Sequence, residues 1–298
     1  MIGNKKFENY SSTILTIGIP VYNAEKTIKK SIDSLLQQTY NDFKLLISDN
    51  ASTDSTQEIC EDYAKKDPRI EYFKHKQNQG LLKNWNYILK NANTKYFMWA
   101  AADDFWDPDF IKKNILILES DKNIVGSISK VNFSDNFERK KSNNEKGSSN
   151  YDLVFNVSGS YENRIKSYLK FNQATAVYAI YRTDKLQKSM VSREYGAYDL
   201  QIILNVLEFG NLHVIDEFLM HRLPKGISSK SYIISSLNNK IDLTKIIFPY
   251  LPITTFCIKK LGIKFFLKNL LLFSRINANG CYLIISDILQ ILRHRFSK

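Results

Sequence analysis

Three aspartates end apolar runs of the sequence and are candidates for chemistry. Asp103 and Asp104 close the run YFMWAAA, and Asp49 closes the run FKLLIS. Hard divalent cations take carboxylate oxygens as ligands and commonly bridge a protein to a bound phosphate. Two local alternatives stay open. The Asp103-Asp104 pair is also typical of a surface turn with helix-capping acids, and Asp49 is a typical Asx-turn residue.

Strands and helices alternate strictly in the first 105 residues, and this order determines where the acids would lie. The predicted strands are 13–19, 42–48, 69–75 and 95–101, and the predicted helices are 24–38, 52–66 and 80–92. Such alternation predicts right-handed crossovers and a mostly parallel sheet with helices on both faces. Ligands of these sheets bind beyond the carboxyl ends of the strands. One composite site is therefore expected from segments about 80 residues apart.

The end of the first strand carries Pro20 and Tyr22 instead of a phosphate-binding loop. Neither G-x-G-x-x-G nor a P-loop follows this strand, so a bound phosphate would need a cation to balance its charge. Tyr22 is a candidate for stacking on a nucleobase, with core packing as the alternative. Successive side chains of an extended segment point to opposite faces. One of Asp103 and Asp104 would then face a metal ion while the other accepts hydrogen bonds from a hydroxyl-rich ligand.

The second half of the chain has weaker patterns. Residues 134–150 are polar and predict an exposed loop, either an inert linker or an active-site flap. Further along, 175–182 predicts a strand, 197–210 a helix that ends at Gly210, and 212–223 another strand.

Composition limits the class of protein. The chain has 298 residues and is 44% apolar, which predicts a sizeable core and excludes disorder of the chain as a whole. Its three cysteines form no Cys-x-x-Cys motif, so neither a disulfide framework nor a zinc site is expected. The cysteines and the lack of a secretory peptide at the start of the sequence predict a reducing, cytoplasmic compartment.

The net charge of +12 is concentrated at the end of the chain. Residues 240–298 contain ten Lys or Arg and two Asp, a net charge of +8. The same region has apolar stretches at 265–273 and 281–296, but its longest charge-free run, 246–258, is shorter than the roughly 20 residues that cross a bilayer. This pattern predicts interfacial helices attached to the inner, anionic face of a membrane. The alternatives are a helical subdomain packed on the main domain and an oligomer contact.

Four motifs together carry a resemblance to a known family. They are P-x-Y-N at 20–23, S-L-L-x-Q-T-Y at 34–40, S-D-N-A-S-T-D at 48–54 and A-D-D-x-W at 102–106. In this combination and spacing the sequence resembles the family 2 glycosyltransferases over about 13–222. The resemblance implies the GT-A fold, a Rossmann-like α/β architecture with a mostly parallel sheet flanked by helices. A basic helical extension would follow it.

The resemblance also implies roles for the residues at the strand ends. Pro20 and Tyr22 would line the nucleobase pocket, and Asp49 would hydrogen-bond the base, usually uracil. Asp103 would contact the ribose, and Asp104 would bind Mn²⁺ or Mg²⁺ on the donor diphosphate. The family's Asp-any-Asp motif has Ala102 at its first position in this chain, so only the metal-side acid of that pair is kept.

The resemblance places the general base in the second half of the chain. The matching acid is Asp199, with capping of its helix as the alternative role and Glu194 as the nearest other acid. The family's later Tyr-Arg-any-His motif is matched only by Arg222, because Pro224 stands in place of the histidine.

The predicted function is that of an inverting, metal-dependent hexosyltransferase. It would move a sugar from a nucleotide diphosphate donor, UDP above all, to a glycan or lipid-linked saccharide in surface polysaccharide synthesis. Two alternatives are a sugar nucleotidyltransferase and a non-catalytic binder of nucleotide sugars or nucleic acid. Nucleic acid is not expected, because the excess charge lies in a Leu-, Ile- and Phe-rich tail. The glycosyltransferase domain would span 1–237, with a donor half at about 13–110 and an acceptor half at about 125–230, and the extension would span 238–298. The oligomeric state stays open.

Overall fold

The computed structural model describes residues 13–133, 151–152, 154–171, 174–192, 197–223 and 248–296. The predicted loop at 134–150, together with Glu194 and Pro224, lies outside these residues. The described elements begin with β1 (Leu15–Val21), α1 (Ile28–Leu36), β2 (Phe43–Asp49), α2 (Thr56–Lys66), β3 (Ile70–Lys74), α3 (Leu81–Asn91) and β4 (Tyr96–Trp99). All seven were predicted in this order, with bounds that differ by up to four residues.

The first four strands form the parallel half of the sheet, in the order β3-β2-β1-β4. The side chains of β1 and β4 are buried on both faces, which fits their nearly unbroken apolar runs, whereas the edge strand β3 leaves Glu71 and Phe73 exposed. Gly18 in β1 allows α3 to lie directly on the sheet. A Cβ atom at this position would come within 2.2 Å of the Ile88 methyl group.

The second half adds shorter strands and more helices. They are β5 (Phe105–Trp106), α4 (Phe110–Ser120), β6 (Ile124–Phe133), β7 (Tyr151–Asp152), α5 (Tyr161–Phe171), a 3₁₀ helix (Ala174–Tyr178), β8 (Ile180–Arg182), α6 (Thr183–Ser189), α7 (Tyr198–Val206) and β9 (Asn211–Arg222). The path of the described sheet is β3-β2-β1-β4-β8-β6-β9-β5, and β7 pairs with β6 beside it. The α/β fold is therefore parallel in its first half, as predicted, and mixed in its second.

Two predictions for the second half need correction. The segment 175–182 is a strand only at β8, because its first part forms the 3₁₀ helix. The helix predicted at 197–210 is α7, which ends at Val206 and is followed by a turn. Neither α4 nor β6 is among the predicted elements, although β6 lies at the centre of the second half. In β6, Gly126 and two buried serines interrupt the apolar periodicity.

The region after 248 consists of two helices, α8 (Leu251–Lys268) and α9 (Leu270–Phe296). Gly262, with a φ of 81°, breaks α8 near its middle. The side chains of Ile253, Cys257, Phe265 and Phe273 are buried in the main core, so the pair packs on the preceding fold. In the part of the chain that the structure describes, no helix is long and apolar enough to cross a membrane.

Candidate active site

The ends of β1 and β2 lie side by side, because Val21 pairs with Asp49 in the parallel register. Asp49 is fully buried. Its Oδ1 accepts a hydrogen bond from the Ser52 backbone N–H at 2.7 Å, and its Oδ2 accepts one from the Tyr72 hydroxyl at 2.8 Å. The contact with Ser52 is a local bond to the backbone three residues on, one residue longer than the Asx turn that the sequence offered as the alternative role. Each oxygen keeps a second lone pair, and the contact of Asp49 with a nucleobase stays a prediction.

The loops after β1 and β2 hold each other in place. The Asn23 backbone N–H donates to Ser52 Oγ, and the Thr53 backbone N–H donates back to Asn23 Oδ1. A second reciprocal pair of hydrogen bonds joins Glu25 to the loop after β2. The Glu25 N–H donates to the Asp54 carboxylate, and the Glu25 carboxylate accepts from the Ser55 N–H. The motifs P-x-Y-N and S-D-N-A-S-T-D are thus two sides of one clamp. This clamp presents Tyr22, whose side chain is 44% exposed, beside the half-buried Pro20.

Helix α1 holds the segment that carries the paired acids. Ser31 Oγ donates to the carbonyl of Ala101 at 3.0 Å, and Ser34 Oγ accepts from the Trp106 N–H at 3.3 Å. Gln38 is buried and bridges two further groups. Its Nε2 donates to the carbonyl of Asp107 at 2.7 Å, and its Oε1 accepts from the N–H of Ile111 at 2.9 Å. Ser34 and Gln38 of the motif S-L-L-x-Q-T-Y, with Ser31 one turn earlier on α1, therefore fix the loop containing both acids; Gln38 lies two residues beyond the end of the helix.

Asp104 lies inside the fold and is paired with an arginine from the last strand. Its side chain is 2% exposed, and its Oδ2 accepts a hydrogen bond from Arg222 Nε at 3.1 Å. Burial raises the pKa of Asp104 to about 7, and the neighbouring Asp103 adds to the rise, whereas Arg222 opposes it. Burial has the larger effect because it removes the carboxylate from water.

Tyr178 marks the point where the two halves of the fold converge. Burial raises the pKa of its phenol, and the negative charges of Asp104, Asp103 and Asp199 raise it further, while Arg222 lowers it. The Arg222 guanidinium carbon lies 4.9 Å from the centre of the Tyr178 ring. The charges of Asp103 and Asp104, which are adjacent in one loop, and of Asp199 in a distant segment therefore all act on one phenol that lies beside one guanidinium.

Asp199 lies in the first turn of α7, one residue after the helix begins. The N-cap position belongs to Ala197, with a φ of 63°, so the alternative in which Asp199 is the N-cap is wrong. Burial raises the pKa of Asp199, although its own backbone, the Leu200 N–H and the charge of Arg222 all lower it. The Leu200 N–H donates to Asp199 Oδ1 at 2.9 Å. A raised pKa makes this carboxylate a stronger base than an exposed aspartate.

The acids fit a cation that is brought by a diphosphate and do not form a complete metal cage. Among the described residues, no three His, Cys, Asp or Glu side chains converge on one point. Mg²⁺ and Mn²⁺ accept such a site, since Mg²⁺ is usually held by one or two carboxylates together with substrate phosphates and water. Asp104, with Asp103 beside it, provides that number of carboxylates. The two acids are therefore compatible with the predicted metal.

Several residues of this centre have no signal in the sequence patterns. Thr175 and Tyr178 lie in the segment predicted as a strand, and their contact with Arg222 depends on the 3₁₀ helix there. His221 precedes Arg222 and does not enter the centre, because it stacks on Phe105 at 4.6 Å and bonds to a carboxylate of the acid loop. Arg222 itself was predicted only as a match to a family motif.

Comparisons with known proteins agree on one family. A protein-family model described as Glycosyl transferase family 2 matches residues 16–189, which is more than half of the chain. An uncharacterized glycosyltransferase of Rickettsia typhi is 37% identical over 111 residues, which are 37% of this chain and 34% of that protein. Glycosyltransferase GlyA of Streptococcus pneumoniae serotype 4 is 33% identical over 98 residues, which are 33% of this chain and 14% of that protein. The matches thus span about a third or less of these relatives.

Solved structures share the fold at low sequence identity. Residues 1–349 of TarS from S. aureus, in complex with UDP-GlcNAc, superpose with a TM-score of 0.57 at 20% identity, covering 74% of this chain and 62% of that one. The same TarS fragment is also known in complex with UDP. A mannosyltransferase from Pyrobaculum calidifontis, in complex with GDP-Man and Mn²⁺, gives a TM-score of 0.54 at 13% identity, covering 94% and 75%. These superpositions show the GT-A fold.

We predict that Gln38→Leu destabilises the protein by about 1–3 kcal/mol, because the Asp107 carbonyl and the Ile111 N–H each lose a buried partner. Urea unfolding followed by circular dichroism measures the loss. Gln37→Leu is the matched control, since Gln37 is the exposed neighbour in the same helix region, and a change below about 0.5 kcal/mol is expected for it. Equal stabilities of the two variants would contradict the role of Gln38.

Proposed function

The chain belongs to glycosyltransferase family 2 and is a glycosyltransferase of the GT-A fold, and we propose that it transfers a sugar from a nucleoside diphosphate donor to a saccharide hydroxyl. The observation that carries this proposal is the buried Asp104, beside Asp103 in the loop after β4, which is bonded to Arg222 at 3.1 Å while Arg222 lies over Tyr178. Burial raises the pKa values of Asp104 and of Asp199, whose charge also acts on Tyr178, and such acids mark places where chemistry is expected. Family membership favours this function over nucleotidyl transfer and over non-catalytic binding.

The donor would lie across the ends of β1, β2 and β4. Tyr22 would stack on the base, because it is the exposed aromatic beside Pro20, and Asp49 would accept a hydrogen bond from the base edge. Asp103 would accept a hydrogen bond from the ribose. Uridine is the proposed base, and the TarS complexes with UDP and UDP-GlcNAc support it. The identity of the sugar is left open.

The diphosphate of the donor would lie over Asp104, beside Arg222. Mn²⁺ or Mg²⁺ held there by Asp104 would neutralise the diphosphate and make it a better leaving group. The complex of the Pyrobaculum mannosyltransferase with Mn²⁺ supports this choice of ion. No glycine-rich loop follows β1 in the sequence, so the chain offers no backbone cradle there for the phosphates.

The proposed reaction is a single displacement at the anomeric carbon. The acceptor oxygen forms a bond to this carbon on the face opposite the diphosphate, so the configuration inverts. The bond from the carbon to the diphosphate oxygen breaks, and the diphosphate leaves with the bonding electrons. Asp199 takes the proton of the acceptor hydroxyl. Asp199 lies in the first turn of α7, within the segment predicted as the acceptor half.

We further propose that the enzyme works at the inner surface of a membrane, on a lipid-linked saccharide or glycan for surface polysaccharide. The junction of α8 and α9 exposes four large apolar side chains: Ile263, Leu267, Leu270 and Leu271. Leu271 is 87% exposed. Lys264 and Lys268 are exposed between them. Apolar residues mixed with lysines match the interfacial region of an anionic bilayer, whereas a second copy of the same basic surface would repel it.

The donor and its metal are tested by thermal-shift measurements with nucleotide sugars. The correct donor should raise the melting temperature in the presence of Mn²⁺, since a ligand stabilises the native state to which it binds. The rise should disappear with EDTA and with the Asp104→Asn variant. Transfer to an acceptor at the same rate with EDTA would contradict the metal proposal while leaving the transferase assignment intact.

If Asp199 is the general base, replacing it should lower turnover and leave donor binding unchanged. Asp199→Asn should lower kcat by roughly 10²-fold or more, because general-base catalysis is lost, while donor affinity and melting temperature stay close to those of the wild type. In the wild type, kcat should fall as the pH falls through the pKa of Asp199, which burial raises above the usual value. Asp184→Asn is the matched control, as Asp184 is the first-turn acid of α6. Normal transfer by Asp199→Asn would exclude it as the base.

The membrane proposal predicts flotation with anionic vesicles at low salt. Each basic residue near such a surface contributes about 1 kcal/mol, so vesicles containing phosphatidylglycerol should bind the protein more strongly than neutral ones. Leu267→Ser combined with Leu271→Ser should abolish flotation. Leu116→Ser is the control, because Leu116 is similarly exposed on α4, and it should have no effect. Equal flotation of both variants would show that the α8–α9 junction is not the contact.

A further inference from the structure

The ion pair between Asp104 and Arg222 occupies the carboxylate that would bind the metal. Arg222 Nε lies 3.1 Å from Asp104 Oδ2, and the carboxylate is almost fully buried. A carboxylate that already neutralises a guanidinium offers less negative charge to another cation. A divalent ion at Asp104 would also lie next to the positive charge of Arg222, and at such short separation in a poorly hydrated site the repulsion is strong.

Arg222 is held by groups other than Asp104. Its Nη1 donates a hydrogen bond to Thr175 Oγ1 at 3.0 Å, and its guanidinium lies over the ring of Tyr178. Both contacts come from the 3₁₀ helix, which does not carry the acids. The guanidinium can therefore lose its bond to Asp104 and stay in the centre. A flat guanidinium also pairs well with phosphate oxygens.

We propose that Arg222 is the resident counter-ion of Asp104 and is exchanged when the metal arrives together with the donor diphosphate. Before binding, Arg222 balances Asp104. When a diphosphate and a divalent cation enter together, the cation takes the Asp104 carboxylate and Arg222 pairs with the diphosphate, so no positive charge is left unbalanced. A free metal ion lacks the diphosphate and is repelled. The pair thus makes metal binding depend on the donor, and this role rests on the function proposed above.

The first test measures Mn²⁺ binding by titration calorimetry, with and without UDP. In the wild type, Mn²⁺ should bind weakly alone and at least 10-fold more tightly with UDP. Arg222→Met removes the charge and keeps the volume. It should bind Mn²⁺ alone at least 10-fold more tightly than the wild type does, and it should bind UDP–Mn²⁺ less tightly. Arg222→Lys restores a charge and should return the affinity for free Mn²⁺ toward the wild-type value.

Two controls identify the site. Lys83→Met removes a positive charge from the exposed side of α3 and should leave Mn²⁺ binding unchanged. Asp104→Asn combined with Arg222→Met should lose the tightened binding of free Mn²⁺. An affinity for free Mn²⁺ that is unchanged or weaker in Arg222→Met would overturn the exchange.

A second measurement needs no variant. In wild-type protein with ¹⁵N-labelled arginine, the Nε–H signal of Arg222 should shift when Mg²⁺ and UDP are added together and should stay in place with Mg²⁺ alone. A shift with Mg²⁺ alone would overturn the exchange, as would an unchanged signal when calorimetry shows Mg²⁺–UDP to be bound. The second of these results leaves the proposed function standing. Absence of any Mg²⁺–UDP binding would overturn both.

Discussion

Helix α1 determines the geometry of the acid-bearing loop, and the rest of the site depends on that loop. Residues 100–109 join β4 to α4 and include only two strand residues, so most of their backbone groups have no partner within regular structure. Ser31 and Ser34 on α1, and Gln38 just beyond its end, supply hydrogen bonds to the loop. Because these backbone groups of the loop are bonded, the loop can hold Asp104 inside the fold and out of water. The clamp formed by the loops after β1 and β2 lies just ahead of this helix in the chain, so the first turns of the fold connect the clamp to the placement of the acids.

The charges around Asp104, Tyr178 and Arg222 suit a ligand that carries both positive and negative charge. The negative charges of Asp103, Asp104 and Asp199 raise the pKa of Tyr178, and the positive charge of Arg222 lowers the pKa values of Tyr178 and Asp199. Burial raises the pKa values of Asp104 and Asp199 because charged carboxylates are poorly solvated there. A nucleoside diphosphate with a divalent cation would add positive charge near the acids and negative charge near the guanidinium. Binding and charge balance would then be achieved in the same step.

The sequence predicts the first half of the fold well because that half depends on local patterns. Apolar runs and amphipathic stretches alternate up to β4. The residues at the end of each strand can therefore be identified directly from the sequence. Predictions become weaker where structure depends on distant contacts. Thr175 and Tyr178 lie in a β-branched and aromatic segment typical of a strand, yet tertiary packing turns its start into a 3₁₀ helix. Aspartate is a typical N-cap residue. In the structure, however, Ala197 adopts a positive φ ahead of Asp199, and the helix begins earlier. The pairing of Arg222 with Asp104 follows from strand order, which no local pattern contains.

The position of β5 has a consequence for the order in which the enzyme becomes complete. This short strand follows β4 in the chain, yet it pairs with β9, so Trp106 meets Met220 more than a hundred residues later. During synthesis the clamp formed by the loops after β1 and β2 can fold first, because its strands are close in sequence. The acid loop must wait for β9, which at about 5–20 residues per second is a delay of roughly 6–20 seconds. A growing chain would therefore hold the parallel half of the sheet before the acid loop is fixed by its last strand.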